Sequence, residues 1–247
     1  MKKAGSKKIF AFGLACVLAV SGLAGLLRHQ RPATPVLAQV RLPERQLVLD
    51  AGHGGEDGGA VSLTGVSESN INLAVVLRLD QLLGFYGVPS ILLRDRDISI
   101  YDSGCETLRQ KKVSDLHNRV AAIENTENAV LISIHQNIFS NSAYHGAQAF
   151  FRAGEESKAL AELIQSALRE GVDPENKRTP TKIPDSVYLM KHITCPAVLV
   201  ECGFLSNPAE EKKLRSADYQ TQLALCIVSA WLRSGEIGAG NGTGPVV

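Results

Sequence analysis

Ala129-Val-Leu-Ile-Ser-Ile134, followed at once by His135-Gln-Asn137, is the stretch of this sequence that decides its fold. It is an almost continuous apolar run, which is typical of a strand whose two faces are both covered. Strands of that kind belong to parallel sheets with helices on either side. The run therefore predicts the central strand of an α/β protein.

Shorter apolar runs and longer amphipathic ones alternate on both sides of this strand. An alternation of this kind is typical of a mostly parallel sheet. The predicted fold class is therefore α/β, with a mostly parallel sheet flanked by helices on both faces of a single catalytic domain at 46–234. Its other predicted strands are 46–50, 88–93, 146–151, 186–190 and 197–200, and its predicted helices are 68–83, 113–123, 155–170 and 219–232.

The composition excludes some classes of protein. The 247 residues are enough for one sizeable domain with appendages, and a hydrophobic content of 45% with 21% charged residues is ordinary for a globular protein. The formal net charge is only +1. A protein that binds nucleic acid usually carries a basic stripe or patch, so a nucleic-acid partner is not expected.

The two ends of the chain differ from its centre. Lysines at positions 2, 3, 7 and 8 precede the uncharged apolar stretch 9–27, which is long enough to span a membrane. We predict that residues 1–27 are a signal peptide or a membrane anchor, so that the rest of the chain is exported and extracytoplasmic. Residues 28–45 contain three prolines and are predicted to be a linker, and the glycine-rich residues 235–247 a disordered tail.

Four polar residues stand where a predicted strand ends or a helix begins. His53 follows the first strand, His135 ends the central one, Glu201 ends a late one, and Glu68 opens a helix. Because the carboxyl ends of parallel strands meet at one edge of the sheet, these side chains are expected to converge. Two imidazoles and one carboxylate make the ligand set of a catalytic Zn²⁺ site, and a carboxylate kept off the metal can take a proton from water. We therefore predict a zinc hydrolase.

Residues around these four have predicted supporting roles. Asp57, in the glycine-rich segment that contains His53, is predicted to accept the second ring N–H of a metal-bound imidazole. Glu201 terminates a buried apolar strand, where burial raises the pKa of a carboxyl group and suits it to act as a general base. Gln136 and Asn137 are predicted to contact the substrate.

Each of these residues also has a simpler structural interpretation. Taken alone, His53 can be a turn histidine, Glu68 a first-turn acid favoured by the helix dipole, and His135 a hydrogen-bonded core histidine. Other catalytic chemistries have less support, because Cys202 has no assigned histidine partner and the motif GxSxG is absent. The expected convergence of all four polar residues is what favours the metal hydrolase.

Four motifs in order resemble a known family over residues 46–234. The resemblance is to the zinc-dependent N-acetylmuramoyl-L-alanine amidases of the amidase 3 type. It implies that His53, Glu68 and His135 hold Zn²⁺, that Glu201 is the catalytic acid/base, and that the enzyme cleaves the amide between N-acetylmuramic acid and L-alanine in peptidoglycan. The motifs are Leu49-Asp-Ala-Gly-His53-Gly-Gly-Glu-Asp-Gly-Gly59, Glu68-Ser-Asn-Ile-Asn-Leu73, Ser133-Ile-His135-Gln-Asn137 and Pro196-Ala-Val-Leu-Val-Glu201-Cys-Gly-Phe-Leu-Ser-Asn207.

Within that family, an export segment followed directly by one catalytic domain is similar to the germination-specific sporulation amidases. This implies a role in making the muramic-δ-lactam of spore cortex, in the space between the forespore and mother-cell membranes. Two features depart from the family pattern. Gln136 stands where a small residue is usual, which is expected to alter the substrate groove. No wall-binding repeats accompany the domain, which leaves targeting to the membrane segment or to a partner protein.

Three alternatives remain open from the sequence. The domain can be a zinc-stabilised peptidoglycan-binding or regulatory protein without turnover. It can be a zinc peptidase or deacetylase that acts on another bond of the cell wall. Finally, the metal site can be one that is assembled only when an activating partner protein is present.

Overall fold

A six-stranded sheet runs through residues 45–239, which are the residues that the computed structural model describes. In the sheet the strands lie in the order β2-β1-β3-β6-β4-β5. The neighbours β2, β1, β3 and β6 are parallel, whereas β4 is antiparallel to β6 and β5 is parallel to β4. The strands are β1 (Gln46–Ala51), β2 (Ser90–Leu92), β3 (Ala129–Asn137), β4 (Gln148–Phe151), β5 (Thr181–Lys182) and β6 (Ala197–Phe204).

Helices cover both faces of this sheet. One face packs against α1, α3 and α6, and the other against α2 and α4, so two apolar cores lie on opposite sides of the strands. Alternate residues of β3 supply both cores, with Ile132 on one face and Leu131 on the other. The predicted α/β class is therefore confirmed. The helices are α1 (Glu68–Phe85), α2 (Leu108–Glu124), α3 (Glu155–Gly171), α4 (Tyr188–His192), α5 (Pro208–Leu214) and α6 (Ala217–Ala239).

The strand register brings the polar residues of the sequence motifs to one edge of the sheet. Ala51 at the end of β1 lies opposite Ile134 of β3, and His135 lies opposite Glu201 of β6. The three strands run parallel, so their carboxyl ends form a common edge at which a site can be built.

Two strands extend further than predicted. His135 and Glu201 were expected to end their strands, but β3 continues to Asn137 and β6 to Phe204. The pairing of the two strands resumes at Asn137 and Phe204 after an irregularity in the register between His135 and Asn137. Backbone hydrogen bonds do not require apolar side chains, so a strand can continue through a polar site.

One other predicted element has the wrong type, and one predicted helix ends too early. Residues 186–190 were expected to form a strand, but Tyr188–His192 is a short helix. Its Leu189 and Met190 are both buried in the core on the α2 side of the sheet. A short apolar run has no decisive period, so its sequence does not distinguish a helix from a strand. Helix α6 was expected to end at Leu232, yet it continues to Ala239 and so takes up the first residues of the predicted tail. A glycine inside a helix costs only about 1 kcal/mol relative to alanine, so Gly235 does not end it.

The predictions for residues 1–44 and 240–247 fall outside the described residues. They are the signal peptide or anchor, most of the linker and the remainder of the tail. Among the helices of residues 45–239, none is long and apolar enough to cross a membrane.

The central strand is expected to dominate the stability of the fold. Ile132 is fully buried in β3, so Ile132→Ala leaves a cavity that should lower the free energy of unfolding by about 2–5 kcal/mol. Val113 on α2 is 46% exposed, and Val113→Ala should change the same free energy by no more than about 0.5 kcal/mol. Urea denaturation of the two variants and the wild type measures both values, and equal losses would contradict this account of the core.

Candidate metal centre

His53 lies in the glycine-rich loop that follows β1, and its backbone and ring are both held. It is one of two non-glycine residues with a positive φ in the described part of the chain, at 61°. Residues rarely adopt this conformation unless their surroundings impose it. The Arg119 guanidinium donates a hydrogen bond to the His53 carbonyl at 2.8 Å, and the Asp57 carboxylate lies 2.9 Å from ring atom Nδ1. The His53 ring therefore has a defined orientation, with Nε2 3.5 Å from Glu68.

Asp57 is ionised in this arrangement. Its hydrogen bond with His53, together with the charges of His53 and Lys112, more than offsets partial burial and holds the pKa of the Asp57 carboxyl well below its usual range. Lys112 Nζ of α2 lies 3.1 Å from Asp57 Oδ2. Asp57 thus lies beside ring atom Nδ1 of His53, and its role in orienting a metal-bound imidazole stays a prediction.

Glu68 is the first residue of α1, and its side chain joins three parts of the chain. The residue is only 3% exposed. Its Oε1 accepts hydrogen bonds from the Gln136 backbone amide at 3.1 Å and from the Asn72 side chain at 3.2 Å, and its Oε2 accepts one from the Ala60 amide at 2.9 Å. Burial raises the pKa of a carboxyl group, but the hydrogen bond and charge of His135 outweigh it and bring the pKa of Glu68 to about 2. Glu68 is therefore a carboxylate at neutral pH.

His135 completes the cluster from the central strand. Its Nδ1 lies 2.9 Å from Glu68 Oε1, and its ring meets the His53 ring edge to face with centroids 5.2 Å apart. Burial lowers the pKa of His135, whereas the hydrogen bond and charge of Glu68 raise it by more. A Cβ atom on Gly52 would overlap the His135 ring, so only glycine leaves room for the imidazole at this position.

These three side chains form a donor set that fits zinc. One nitrogen of each histidine and one oxygen of Glu68 all lie within 4.8 Å of one another. Two neutral imidazoles and one carboxylate are a ligand set of catalytic Zn²⁺, and three protein ligands leave a coordination position open. Gly59 also makes room for this set, since a Cβ atom there would lie 2.6 Å from Glu68 Oε2. The cluster can therefore hold a divalent metal ion.

Glu201 lies beside this cluster and differs from Glu68 in its hydrogen bonding. Its Oε2 atom is buried and makes no hydrogen bond within the described residues. Burial and the negative charge of Glu68 raise the pKa of Glu201 to about 7, against the opposing effects of His135 and His53. A carboxyl group with that pKa can both accept and return a proton near neutral pH.

The two residues predicted to contact substrate have different positions. Gln136 is 3% exposed, and its side chain points to the Asn72 amide, where Nε2 donates a hydrogen bond of 3.1 Å. Neighbouring residues of a strand point to opposite faces, and the Gln136 side chain faces α1, so its contact with substrate stays a prediction. Asn137 is half-buried at the end of β3, and its contact with substrate stays a prediction.

An open apolar groove borders the end of β3. Its volume is about 630 Å³, and its walls come from the loop before α1 and from the segments that follow β3 and β6. This surface could not be predicted from the sequence, because exposed apolar residues in loops carry no periodic signal. It is lined by Val61, Leu63, Ile138, Phe139, Ser140, Ser142, Leu205 and Ser206.

Three residues that support the site were not predicted from the sequence. Asn72 bonds Glu68, Arg119 bonds the His53 carbonyl, and Arg94 bonds the backbone on either side of the site. Asn72 could have been found, since it stands four residues after Glu68 on the same helix face. Arg119 gave a weaker signal, as a charged residue next to the apolar face of a predicted helix. Arg94 follows β2 within a run of charged residues and gave no distinct signal.

Comparison with known proteins identifies the family of this chain. Residues 47–232 match the family described as N-acetylmuramoyl-L-alanine amidase, amidase 3. The chain is 36% identical over 188 residues to the germination-specific N-acetylmuramoyl-L-alanine amidase of Bacillus subtilis, covering 76% of this chain and 78% of that protein.

Solved structures share the fold. The CwlD amidase of Clostridioides difficile, determined in complex with the GerS lipoprotein, superposes with a TM-score of 0.75 at 39% identity, covering 78% of this chain and 99% of that one. An N-acetylmuramoyl-L-alanine amidase of Clostridium difficile 630 superposes with a TM-score of 0.67 at 29% identity, covering 81% of this chain and 100% of that one. The chain therefore belongs to the amidase 3 family of N-acetylmuramoyl-L-alanine amidases.

Proposed function

We propose that this domain hydrolyses the amide between N-acetylmuramic acid and L-alanine in peptidoglycan, with Zn²⁺ held by His53, Glu68 and His135. The observation that carries the proposal is that this donor set lies beside Glu201, whose buried Oε2 has no hydrogen-bond partner in the part of the chain that the structure describes. Membership of the amidase family supplies the bond that is cleaved.

Glu201 is the proposed catalytic acid/base. Zinc bound at the cluster would polarise the scissile carbonyl and lower the pKa of a water molecule to about 7. Glu201 Oε2 accepts a proton from the attacking water, and its own pKa of about 7 lets the carboxyl return a proton to the alanine nitrogen as the C–N bond breaks. Asp57 keeps the His53 ring oriented throughout, since its carboxylate holds Nδ1. Asn137 is the residue proposed to contact the substrate next to the reacting bond.

The two alternative functions differ in how the site bears on them. A peptidoglycan-binding protein without turnover has no need of a buried carboxylate oxygen that lacks a hydrogen-bond partner among the described residues, because such an atom costs free energy. A zinc peptidase or deacetylase would use the same residues, so only the identity of the products separates it from an amidase.

The proposed biological setting is spore formation and germination. It is supported by the similarity to the Bacillus subtilis protein named germination-specific amidase. We propose that the chain acts outside the cytoplasm, tethered or exported by residues 1–27, in formation of the muramic-δ-lactam of spore cortex. A partner protein is part of this proposal, since the similar CwlD amidase was solved with the GerS lipoprotein.

Product analysis tests the bond that is cleaved. The zinc-loaded protein, incubated with purified peptidoglycan, should release stem peptides with a free N-terminal alanine, which mass spectrometry identifies. A chelator should abolish their release, and added Zn²⁺ should restore it. Chelator-sensitive products cleaved elsewhere would keep the zinc hydrolase and refute the amidase assignment. Zinc-loaded protein that binds peptidoglycan and releases nothing would favour the binding function.

Glu201→Gln tests the acid/base. The amide cannot accept a proton at neutral pH, so kcat should fall by about 10²–10⁴-fold while the zinc content stays that of the wild type. Glu124→Gln, the same change at the end of α2 where the side chain bonds Thr194, is the matched control and should retain kcat. Half of the wild-type kcat in Glu201→Gln would refute the assigned role.

Gly52→Ala tests the cradle of the metal site. The added Cβ would overlap the His135 ring and displace it, so the affinity for zinc should fall by about tenfold or more. Gly84→Ala is the control, because a Cβ on Gly84 near the end of α1 meets no atom within 4 Å. Equilibrium dialysis followed by elemental analysis measures both affinities, and equal values would contradict the geometry of the site.

A further inference from the structure

Arg94 is a buried charged residue outside the proposed ligand set. It follows β2 and is 2% exposed. Within residues 45–239 it forms no ion pair, although Arg119, the other buried arginine near the site, pairs with Asp50 and Asp115. A buried guanidinium without an adjacent carboxylate is costly, so its hydrogen bonds must compensate for its loss of hydration.

All of the hydrogen bonds that Arg94 donates go to backbone carbonyls. Nε donates to Ala51 at 2.8 Å, and Nη2 donates both to Gly52 at 3.2 Å and to Ser69 at 2.8 Å. Nη1 donates to Arg96 at 3.1 Å. Ala51 and Gly52 lead directly into His53, and Ser69 is the residue after Glu68. The planar guanidinium of Arg94 therefore joins the backbone next to His53 to the backbone next to Glu68.

The loop of His53 is also fastened at its other end. The Glu68 amide donates to the Ala60 carbonyl at 2.8 Å, and the Ser69 amide donates to Gly58 at 3.1 Å. These bonds fix the side of the loop that follows His53. Two side chains link the side that precedes His53 to α1: Asn72 of α1 donates to the Gly52 carbonyl at 3.0 Å, and Arg94 bonds both Gly52 and Ser69.

We propose that Arg94 is a positioning residue, which sets the separation of His53 and Glu68 by clamping their two backbone segments and thereby raises the affinity of the site for zinc. This inference rests on the proposed zinc site. Because α1 carries Glu68 and the β1 loop carries His53, any change in the distance between these segments is passed to the two ligand side chains. Metal sites are sensitive to such support, and loss of a supporting residue typically weakens metal binding by about 10–100-fold.

The shape of arginine is essential to this role. The guanidinium is a rigid fork whose donors point in fixed directions, so it can reach carbonyls on two segments at once. A lysine would keep the positive charge but concentrate its donors on one nitrogen at the end of a flexible chain. Arg94→Lys therefore separates the geometric role of Arg94 from its charge.

The test compares Arg94→Lys with Arg169→Lys. Arg169 on α3 also spans backbone carbonyls outside the proposed ligand set, with Nε bonded to Asn176 at 2.8 Å and Nη2 to Arg178 at 2.8 Å. Competition with a chromophoric chelator measures the zinc affinity of each full-length protein, and urea denaturation of the metal-free proteins measures stability. We expect zinc to bind about 10–100-fold more weakly to Arg94→Lys and with wild-type affinity to Arg169→Lys, even where the two lose similar stability.

The outcomes separate this inference from the proposed function. Equal zinc affinity in wild type and Arg94→Lys would refute the positioning role and leave the zinc site intact. A wild-type protein that binds no zinc would refute the proposed function, and the positioning role with it. An equal loss of affinity in Arg169→Lys would also refute the inference, because it would trace the loss to stability alone.

A measurement on the wild type covers the case in which Arg94→Lys does not fold. Coupling between two processes is reciprocal, so if the clamp favours zinc binding, zinc must favour the closed clamp. Zinc should therefore slow hydrogen exchange at Arg94 Nε, observed by NMR, and leave exchange at Arg169 Nε unchanged. Equal exchange rates at Arg94 Nε with and without zinc would overturn the inference.

Discussion

The carboxylate of Glu68 is the group on which the rest of the site depends. It is buried at the start of α1, where an ionised carboxyl group is stable only if its lone pairs are satisfied. The groups that satisfy it come from separate parts of the chain: the Ala60 amide before the helix, the Asn72 side chain one turn along it, and the Gln136 amide and His135 ring of the central strand. Helix α1, the loop before it and strand β3 must therefore take up their native arrangement together before this carboxylate is stable.

The same surroundings give two neighbouring glutamates opposite properties. Glu68 has a pKa of about 2, because hydrogen bonds and the imidazole of His135 outweigh its burial, whereas Glu201 has a pKa of about 7, because burial and the charge of Glu68 prevail. A carboxylate that stays ionised suits a metal ligand, and one that titrates near neutrality suits proton transfer. Separated pKa values of this kind are how a site assigns different tasks to chemically identical groups.

The sequence predicted those parts of the site that follow from strand direction and residue chemistry. Because parallel strands share a carboxyl edge, the convergence of His53, His135 and Glu201 could be expected before any coordinates. What could not be predicted depends on side-chain direction and long-range contact. Gln136 is next to a proposed metal ligand in sequence, yet it faces the Asn72 amide on the other side of the sheet. The fold class was predictable from apolar runs, whereas the extension of β3 and β6 past the site depended on pairing between strands and left no trace in hydrophobicity.

Several features of this edge oppose folding when each is considered alone. His53 adopts a positive φ, and within residues 45–239 Glu201 buries an oxygen without a hydrogen bond and Arg94 buries a charge without a paired carboxylate. Each costs free energy that the sheet and its two apolar cores must offset. Local departures from favourable geometry that gather at one place are expected where a protein positions reactive groups. These features are concentrated at the carboxyl edge of β1, β3 and β6, whereas the middles of those strands are regular and apolar. This distribution is evidence, independent of any family resemblance, for a reactive site at this edge.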